Sequence, residues 1–83
     1  MQEGDVVRSL SGRDRNTLLA VVGTDENFVY VCDGKARPLH NPKRKNPKHV
    51  QPTQKRLSEA ALHSDRSLRK ALAIAKSEIE SRR

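Results

Sequence analysis

Short apolar runs separated by polar turn residues mark the first half of the chain. The runs Val6–Leu10 and Leu18–Val22 predict two antiparallel strands, because aliphatic and β-branched residues bounded by Gly, Asn and Asp are typical of strands. A third strand is predicted over Phe28–Cys32 and a fourth over Arg37–His40. Because Pro38 donates no backbone hydrogen bond, the fourth strand should be irregular or lie at an edge. The first 40 residues therefore predict a small, strongly bent antiparallel sheet.

The polar segment Ser11–Asn16 separates the first two runs and predicts a tight loop. Gly12 and Asn16 are residue types that tolerate a positive φ, which a tight connection between twisted strands requires. Arg13 and Arg15 should then lie at the exposed tip, where the strands can present them to a partner. Asp33-Gly34 is a second turn signal of the same kind.

The second half of the chain changes from a strand pattern to a helical one. Three prolines within Asn41–Thr53 exclude a helix there and leave room for a short last strand around His49–Gln51. Gln54–Leu62 predicts a short helix. Ser64 or Asp65 can cap a second helix.

This second helix carries one apolar stripe at helical spacing, made of Leu68, Ala71, Leu72, Ala75 and Ile79. We expect the stripe to pack the helix on the sheet; the alternative is a surface for a partner. Arg82 and Arg83 at the end of the chain suit the negative pole of the helix dipole. The expected organisation is a sheet domain with a basic extension over residues 1–53 and a helical tail over residues 54–83.

The chain is strongly basic, with 17 Lys and Arg against 10 Asp and Glu and a net charge of +7. Such an excess predicts attraction to nucleic acid or to an anionic membrane. No apolar run approaches the length of a membrane span, and the basic segment lacks the aromatic anchors of a membrane-surface protein. The single cysteine and the acidic, polar start of the chain indicate a cytoplasmic protein.

Nothing in the sequence groups residues for catalysis or metal binding. Cys32, His40 and His49 match no zinc-binding spacing, and no nucleophile lies beside a base in a recognisable pattern. The four glycines are dispersed and form no phosphate-binding loop. We therefore expect a protein that is not an enzyme and has no cofactor, no metal and no small-molecule substrate.

The densest functional signal is the basic tract, the interval Lys35–Arg56, which has no Asp or Glu. An extended, Pro-rich segment of one charge sign can follow a phosphate backbone, and we assign no packing role to its central residues Lys43, Arg44, Lys45 and Lys48. The loop Ser11–Asn16, which we call the arginine loop, and the basic tract together supply the candidate nucleic-acid-binding residues: Arg13, Arg15, Lys35, Arg37, Lys43, Arg44, Lys45, Lys48, His49, Lys55 and Arg56.

Aromatic residues are nearly absent from the chain. Stacking platforms for unpaired bases need aromatic side chains, and only Phe28 and Tyr30 are present. We expect at least one of them to pack in the core. The sequence therefore favours recognition of phosphates and of folded RNA shape over the reading of bases.

The stretch Gly4–Val22 resembles the KOW motif, a strand–loop–strand element with a glycine in a basic loop. The resemblance covers Gly4–Val7, Ser11–Asp14 and Val21-Val22, and departs from the pattern at Asn16, where many members carry a second glycine.

The chain after the motif is similar to small bacterial KOW-domain RNA-binding proteins, relatives of the ribosomal L-fourteen-e family. This similarity covers Asp33-Gly34, Arg37, Asn41–Asn46 and Lys48–Val50. The resemblance implies a small SH3-like antiparallel barrel followed by a helical tail, mainly β with α. It also implies binding to RNA, with ribosomal RNA and the large ribosomal subunit as the expected partners.

Two other functions remain open from the residues. The barrel or the apolar stripe could bind proteins of the translation or transcription machinery, with RNA contact secondary. Binding to duplex DNA is the third reading, which is disfavoured because no recognition helix precedes the basic tract.

Overall fold

The computed structural model describes residues 1–81, which form a five-stranded antiparallel sheet, two short 3₁₀ turns and one α-helix. Arg82 and Arg83 lie outside the described residues, and so does their expected contact with the helix dipole. The elements are β1 (Asp5–Ser9), β2 (Leu18–Thr24), β3 (Val29–Cys32), β4 (Lys43–Lys45), a 3₁₀ turn (Pro47–His49), β5 (Val50–Arg56), a second 3₁₀ turn (Glu59–Leu62) and α1 (Asp65–Glu80).

The strands are ordered β4-β3-β2-β1-β5 across the sheet. The two edge strands, β4 and β5, are consecutive in the chain, and only Asn46–His49 joins them. Because this link is short and contains a 3₁₀ turn, the sheet must curl to bring its edges together. The prediction of a mainly β fold, a small barrel-like sheet followed by a helical tail, is confirmed.

Both faces of the central strands are buried, which explains why they are continuous apolar runs rather than alternating ones. Successive side chains on a strand point to opposite faces, so neighbours such as Val6 and Val7 enter different cores. The inner core, enclosed by the curled sheet, consists of Val7, Leu19, Val21, Val29, Val31 and Val50. The outer core, between the sheet and α1, consists of Val6, Leu18, Ala20, Cys32, Leu68, Leu72 and Ala75.

Helix α1 begins where the sequence predicts, after Ser64. The Ser64 hydroxyl accepts a hydrogen bond from the backbone N–H of Ser67, and the Ser67 hydroxyl accepts one from the backbone N–H of Ser64, which completes a capping box. Within the stripe, Leu68, Leu72 and Ala75 are buried against the sheet. The stripe therefore packs the helix on the sheet, as expected.

The fourth strand lies later in the chain than the sequence predicts. Arg37–His40 is not a strand, and β4 starts at Lys43. The Asp33 side chain accepts hydrogen bonds of 2.8 Å from the backbone N–H groups of Lys35 and Arg37, which holds the chain in a turn. These side-chain bonds compete with strand pairing for the same backbone donors.

The helix predicted over Gln54–Leu62 is also wrong. Strand β5 continues to Arg56 and pairs with β1, and only the 3₁₀ turn follows it. The Thr53 hydroxyl donates a hydrogen bond of 2.7 Å to the carbonyl of Val6, which adds to the backbone pairing. Pro52 is tolerated because β5 is an edge strand.

Two glycines with positive φ allow a test of how closely α1 approaches the sheet. A Cβ on Gly34 (φ +80°) would lie 2.5 Å from the Asp65 carbonyl oxygen, whereas a Cβ on Gly12 (φ +83°) would meet no atom closer than 3.5 Å. Gly12→Ala should therefore lower the free energy of unfolding by about 1–2 kcal/mol through its backbone alone. Gly34→Ala should cost about 2–5 kcal/mol because overpacking adds to the backbone term.

Urea unfolding of the two alanine variants beside the wild type measures this difference. Equal losses for Gly12→Ala and Gly34→Ala would contradict the close approach of α1 to the segment that follows β3.

Candidate nucleic-acid interface

The β1–β2 loop has the tight geometry that the sequence predicts. Gly12 and Asn16 have positive φ values of 83° and 71°. The backbone N–H of Asn16 donates to the Ser9 carbonyl at 2.8 Å and closes the loop. Arg13 and Arg15 are exposed on this hydrogen-bonded loop, which presents their charges to solvent.

Asp14 joins this loop to strand β4. Its Oδ1 atom accepts hydrogen bonds from the Ser9 hydroxyl at 2.8 Å and from Lys45 Nζ at 3.1 Å, and its Oδ2 atom lies 3.5 Å from Lys43 Nζ. Lys45 Nζ also donates to the Ser11 carbonyl at 3.0 Å. Asp14 therefore holds the arginine loop and the basic tract at a fixed separation.

The pKa of Asp14 is lowered by this arrangement. Burial raises the pKa, but the hydrogen bonds from Ser9 and Lys45 and the charges of Lys45 and Lys43 outweigh it. A carboxyl whose pKa is lowered in the folded state stabilises the fold fully above its unfolded pKa of about 3.9. The stabilisation is lost as the pH falls through the lower folded pKa.

We expect Asp14→Asn to be less stable than the wild type near neutral pH, with a difference in the free energy of unfolding that shrinks below about pH 4. Urea unfolding between neutral and acidic pH measures it. Glu26→Gln, which removes an exposed carboxylate from the β2–β3 turn, is the control and should follow the wild type. A constant difference between Asp14→Asn and wild type at every pH would contradict the ionic role of Asp14.

Strand β4 divides the basic tract between two faces of the sheet, which the sequence analysis missed. Lys43 and Lys45 lie opposite the inward-facing Val31 and Val29, whereas Arg44 lies opposite Tyr30. Lys45 is only 6% exposed. We predicted no packing role for Lys43, Arg44, Lys45 and Lys48. This prediction is wrong for Lys45, because its side chain is buried and its ammonium group contacts Asp14.

Arg44, on the other face, stacks on an aromatic side chain. Its guanidinium carbon lies 4.5 Å from the centre of the Phe28 ring, and the Tyr30 hydroxyl donates a hydrogen bond of 2.7 Å to Asp25. Both aromatic residues are half-buried, and neither belongs to a core cluster. The expectation that one of them packs in the core is wrong, because the valines of β3 fill the inner core.

The structure brings some of the candidate RNA-binding residues together and separates others. Arg13, Arg37 and Lys43 line one cleft beside the β1–β2 loop, which we call the loop cleft. Lys48 and His49 are exposed on the 3₁₀ turn beside the start of the same loop, where the His49 carbonyl accepts a hydrogen bond from Leu10.

Two candidates lie elsewhere and are paired with carboxylates. Lys55 Nζ is 3.3 Å from Glu78 on α1, and Arg56 Nε is 3.9 Å from Asp5. Arg56 is opposite Asp5 in the β1–β5 pair, whereas the arginine loop follows the other end of β1. These two residues therefore do not share a surface with the loop.

A second cleft, which we call the helix cleft, lies between the sheet and α1. Of the sequence candidates only Lys35 lines it; the other basic residues there, Arg8, Arg69 and Lys76, were missed. The sequence feature that could have identified Arg69 and Lys76 is their position beside the apolar stripe of the predicted helix. Nothing in the sequence shows which side of the stripe faces the basic tract.

The Cys32 thiol is buried in the outer core. Burial, followed by the charges of Asp65 and Asp33, raises the pKa of the Cys32 thiol to about 11, and its Sγ donates to the Pro38 carbonyl at 3.3 Å. Within residues 1–81, no three His, Cys, Asp or Glu side chains are grouped as metal ligands.

None of the helices that the structure describes is both long and apolar enough to span a membrane. Comparison of the chain with models of protein families and with curated proteins finds no match. The resemblance to KOW-domain proteins therefore stays a prediction from the residues themselves.

Proposed function

We propose that this protein is a non-enzymatic, cytoplasmic RNA-binding protein that docks on the phosphates of ribosomal RNA in the large subunit. The observation that carries the proposal is the link through Asp14, which holds the exposed arginine loop against the basic tract. Two flexible basic segments would lose conformational entropy on binding, whereas a preformed surface avoids much of that cost.

The cations of the proposed interface differ in what they can give to a phosphate. Lys45 is buried and neutralised by Asp14, so its role is to hold the loop. Among the described residues, Arg13, Arg15, Arg37 and Lys48 have no carboxylate within ion-pair distance. These four side chains form what we call the loop surface, and their charges are available to phosphates.

The ribosomal target rests on the resemblance to small bacterial KOW-domain proteins, and the mode of binding rests on chemistry. Phosphate contacts fix position without reading sequence. Arg44 stacks on the Phe28 ring, and both Phe28 and Tyr30 are half-buried, which leaves little stacking surface for unpaired bases. Folded RNA recognised through its backbone is therefore the substrate that fits best.

Two binding experiments test the proposal. Filter binding should show tighter binding to structured ribosomal RNA than to duplex DNA of equal length, and the protein should co-sediment with large ribosomal subunits after a moderate salt wash. Equal binding to DNA would contradict RNA selectivity. If the protein stays on the subunits but does not bind naked RNA, the result would instead favour binding to proteins of the translation machinery.

A further inference from the structure

The loop cleft and the helix cleft are neighbours on one side of the molecule. Thr17 and Asp33 line both of them. Arg13, Arg37 and Lys43 belong to the first, and the basic residues Arg8, Lys35, Arg69 and Lys76 belong to the second. The positively charged surface therefore continues from the loop cleft to α1.

The helix presents its basic flank to this surface for a geometric reason. At about 3.6 residues per turn, Arg69 and Lys76 lie on one side of the buried stripe, whereas Glu78 lies on the other side, against Lys55 of β5. Gly34 allows α1 to approach this closely, because a Cβ there would lie 2.5 Å from the Asp65 carbonyl oxygen and 3.2 Å from the Arg69 backbone nitrogen. The Asp65 carboxylate also accepts a hydrogen bond of 2.7 Å from the backbone N–H of Leu39.

The charge in the helix cleft is predominantly positive and free. Among the described residues, four basic side chains and two carboxylates, those of Asp33 and Glu80, line the cleft. The Asp33 carboxylate is already engaged by two backbone N–H groups, and no ion pair involves Arg8, Lys35, Arg69 or Lys76 within residues 1–81. A cleft of about 270 Å³ with unpaired cations on its walls is complementary to a polyanion.

We infer that the helix cleft is a second contact surface for the sugar–phosphate backbone of the RNA that occupies the loop cleft, with Arg69 and Lys76 of α1 as binding residues. This inference rests on the proposed function. It makes the terminal helix part of the RNA interface as well as part of the core. The RNA backbone would cross from the arginine loop over Thr17 to the helix.

The test replaces Arg69 and Lys76 with glutamine and measures RNA binding over a salt series. Two lost phosphate contacts should reduce the slope of log affinity against log salt by about 1.4–1.8. If affinities converge near 1 M salt, the loss at about 0.15 M is about 10–30-fold. Glutamine keeps the Cβ and Cγ of both side chains, including the Arg69 Cγ that packs on Gly34.

The matched control is Arg66→Gln with Lys70→Gln, which removes the same charge from the same helix. Both residues are exposed on the side of α1 opposite the apolar stripe. The control should keep nearly the wild-type slope, because separation and salt screen its charges from the clefts. If the Arg69/Lys76 variant melts early, Lys76→Gln alone is compared with Lys70→Gln alone, with an expected slope change of about 0.7–0.9.

The outcomes separate this inference from the function on which it rests. A wild-type protein that does not bind RNA would overturn the proposed function. Wild-type binding that Arg69→Gln and Lys76→Gln leave unchanged, or weaken no more than the control does, would overturn the helix contact and leave the loop contact standing. A larger loss than the control supports the inference.

Discussion

A protein carrying Leu68→Asp is expected to be unfolded at room temperature. Leu68 is fully buried between α1 and the outer face of the sheet. Loss of the leucine costs about 2–5 kcal/mol, and an unpaired carboxylate in the same apolar site adds several more. Small domains are stable by only about 5–15 kcal/mol, so the combined cost removes most or all of this stability.

Ile74→Asp is the control for this variant, because it introduces the same side chain on the same helix. Ile74 is 54% exposed and should tolerate the change with a loss below about 1 kcal/mol. Circular dichroism during thermal unfolding distinguishes the two variants. If Leu68→Asp melts cooperatively near the wild-type temperature, α1 does not pack on the sheet as described.

The predicted strands and helix that proved right are those with strong local signals. The first three strands are apolar runs that end at turn residues, and they form because both of their faces are buried. Helix α1 has both a capping serine and a periodic stripe. In each of these elements, local propensity and tertiary packing favour the same structure.

The strands whose position or length was predicted wrongly depend on contacts between residues distant in the chain. Strand β4 is the tripeptide Lys43-Arg44-Lys45, which has no apolar residue and no local strand signal. It forms through pairing with β3 and through Asp14, 31 residues before Lys45. The sequence predicts only a short piece of β5, around His49–Gln51; the rest of the strand is polar after Val50 and forms through pairing with β1.

The sequence shows which basic residues belong to the candidate site, but not how the fold distributes them between buried, paired and free positions. The sequence identifies the arginine loop and the basic tract from charge alone. It does not show that Lys45 is buried, that Lys55 and Arg56 are paired with Glu78 and Asp5, or that α1 adds two cations. Each of these facts depends on which residues the fold brings close to a cation.

Replacing all four residues of the loop surface with glutamine should greatly weaken RNA binding. Each of Arg13, Arg15, Arg37 and Lys48 is free of ion pairs within the described chain, so the fold should be retained. The set leaves out Lys45, whose loss would release the arginine loop from β4. Removing about four phosphate contacts should lower affinity by about 200–900-fold at about 0.15 M salt.

A second quadruple variant serves as the matched control for charge. It carries glutamine at Lys55, Arg56, Arg66 and Lys70 and therefore has the same net charge as the loop-surface variant. Lys55 and Arg56 are paired with carboxylates, and Arg66 and Lys70 lie on the solvent side of α1. Its affinity should fall far less, because its charges lie away from both clefts and are screened.

The salt dependence of binding to ribosomal RNA decides whether the loop surface docks on phosphates. Wild type, the loop-surface variant and the control are titrated at several salt concentrations after their folding has been verified. The slope of log affinity against log salt should fall in magnitude by about 2.8–3.6 for the loop-surface variant and stay near the wild-type value for the control. A wild-type slope for the loop-surface variant would show that these four side chains do not contact RNA phosphates.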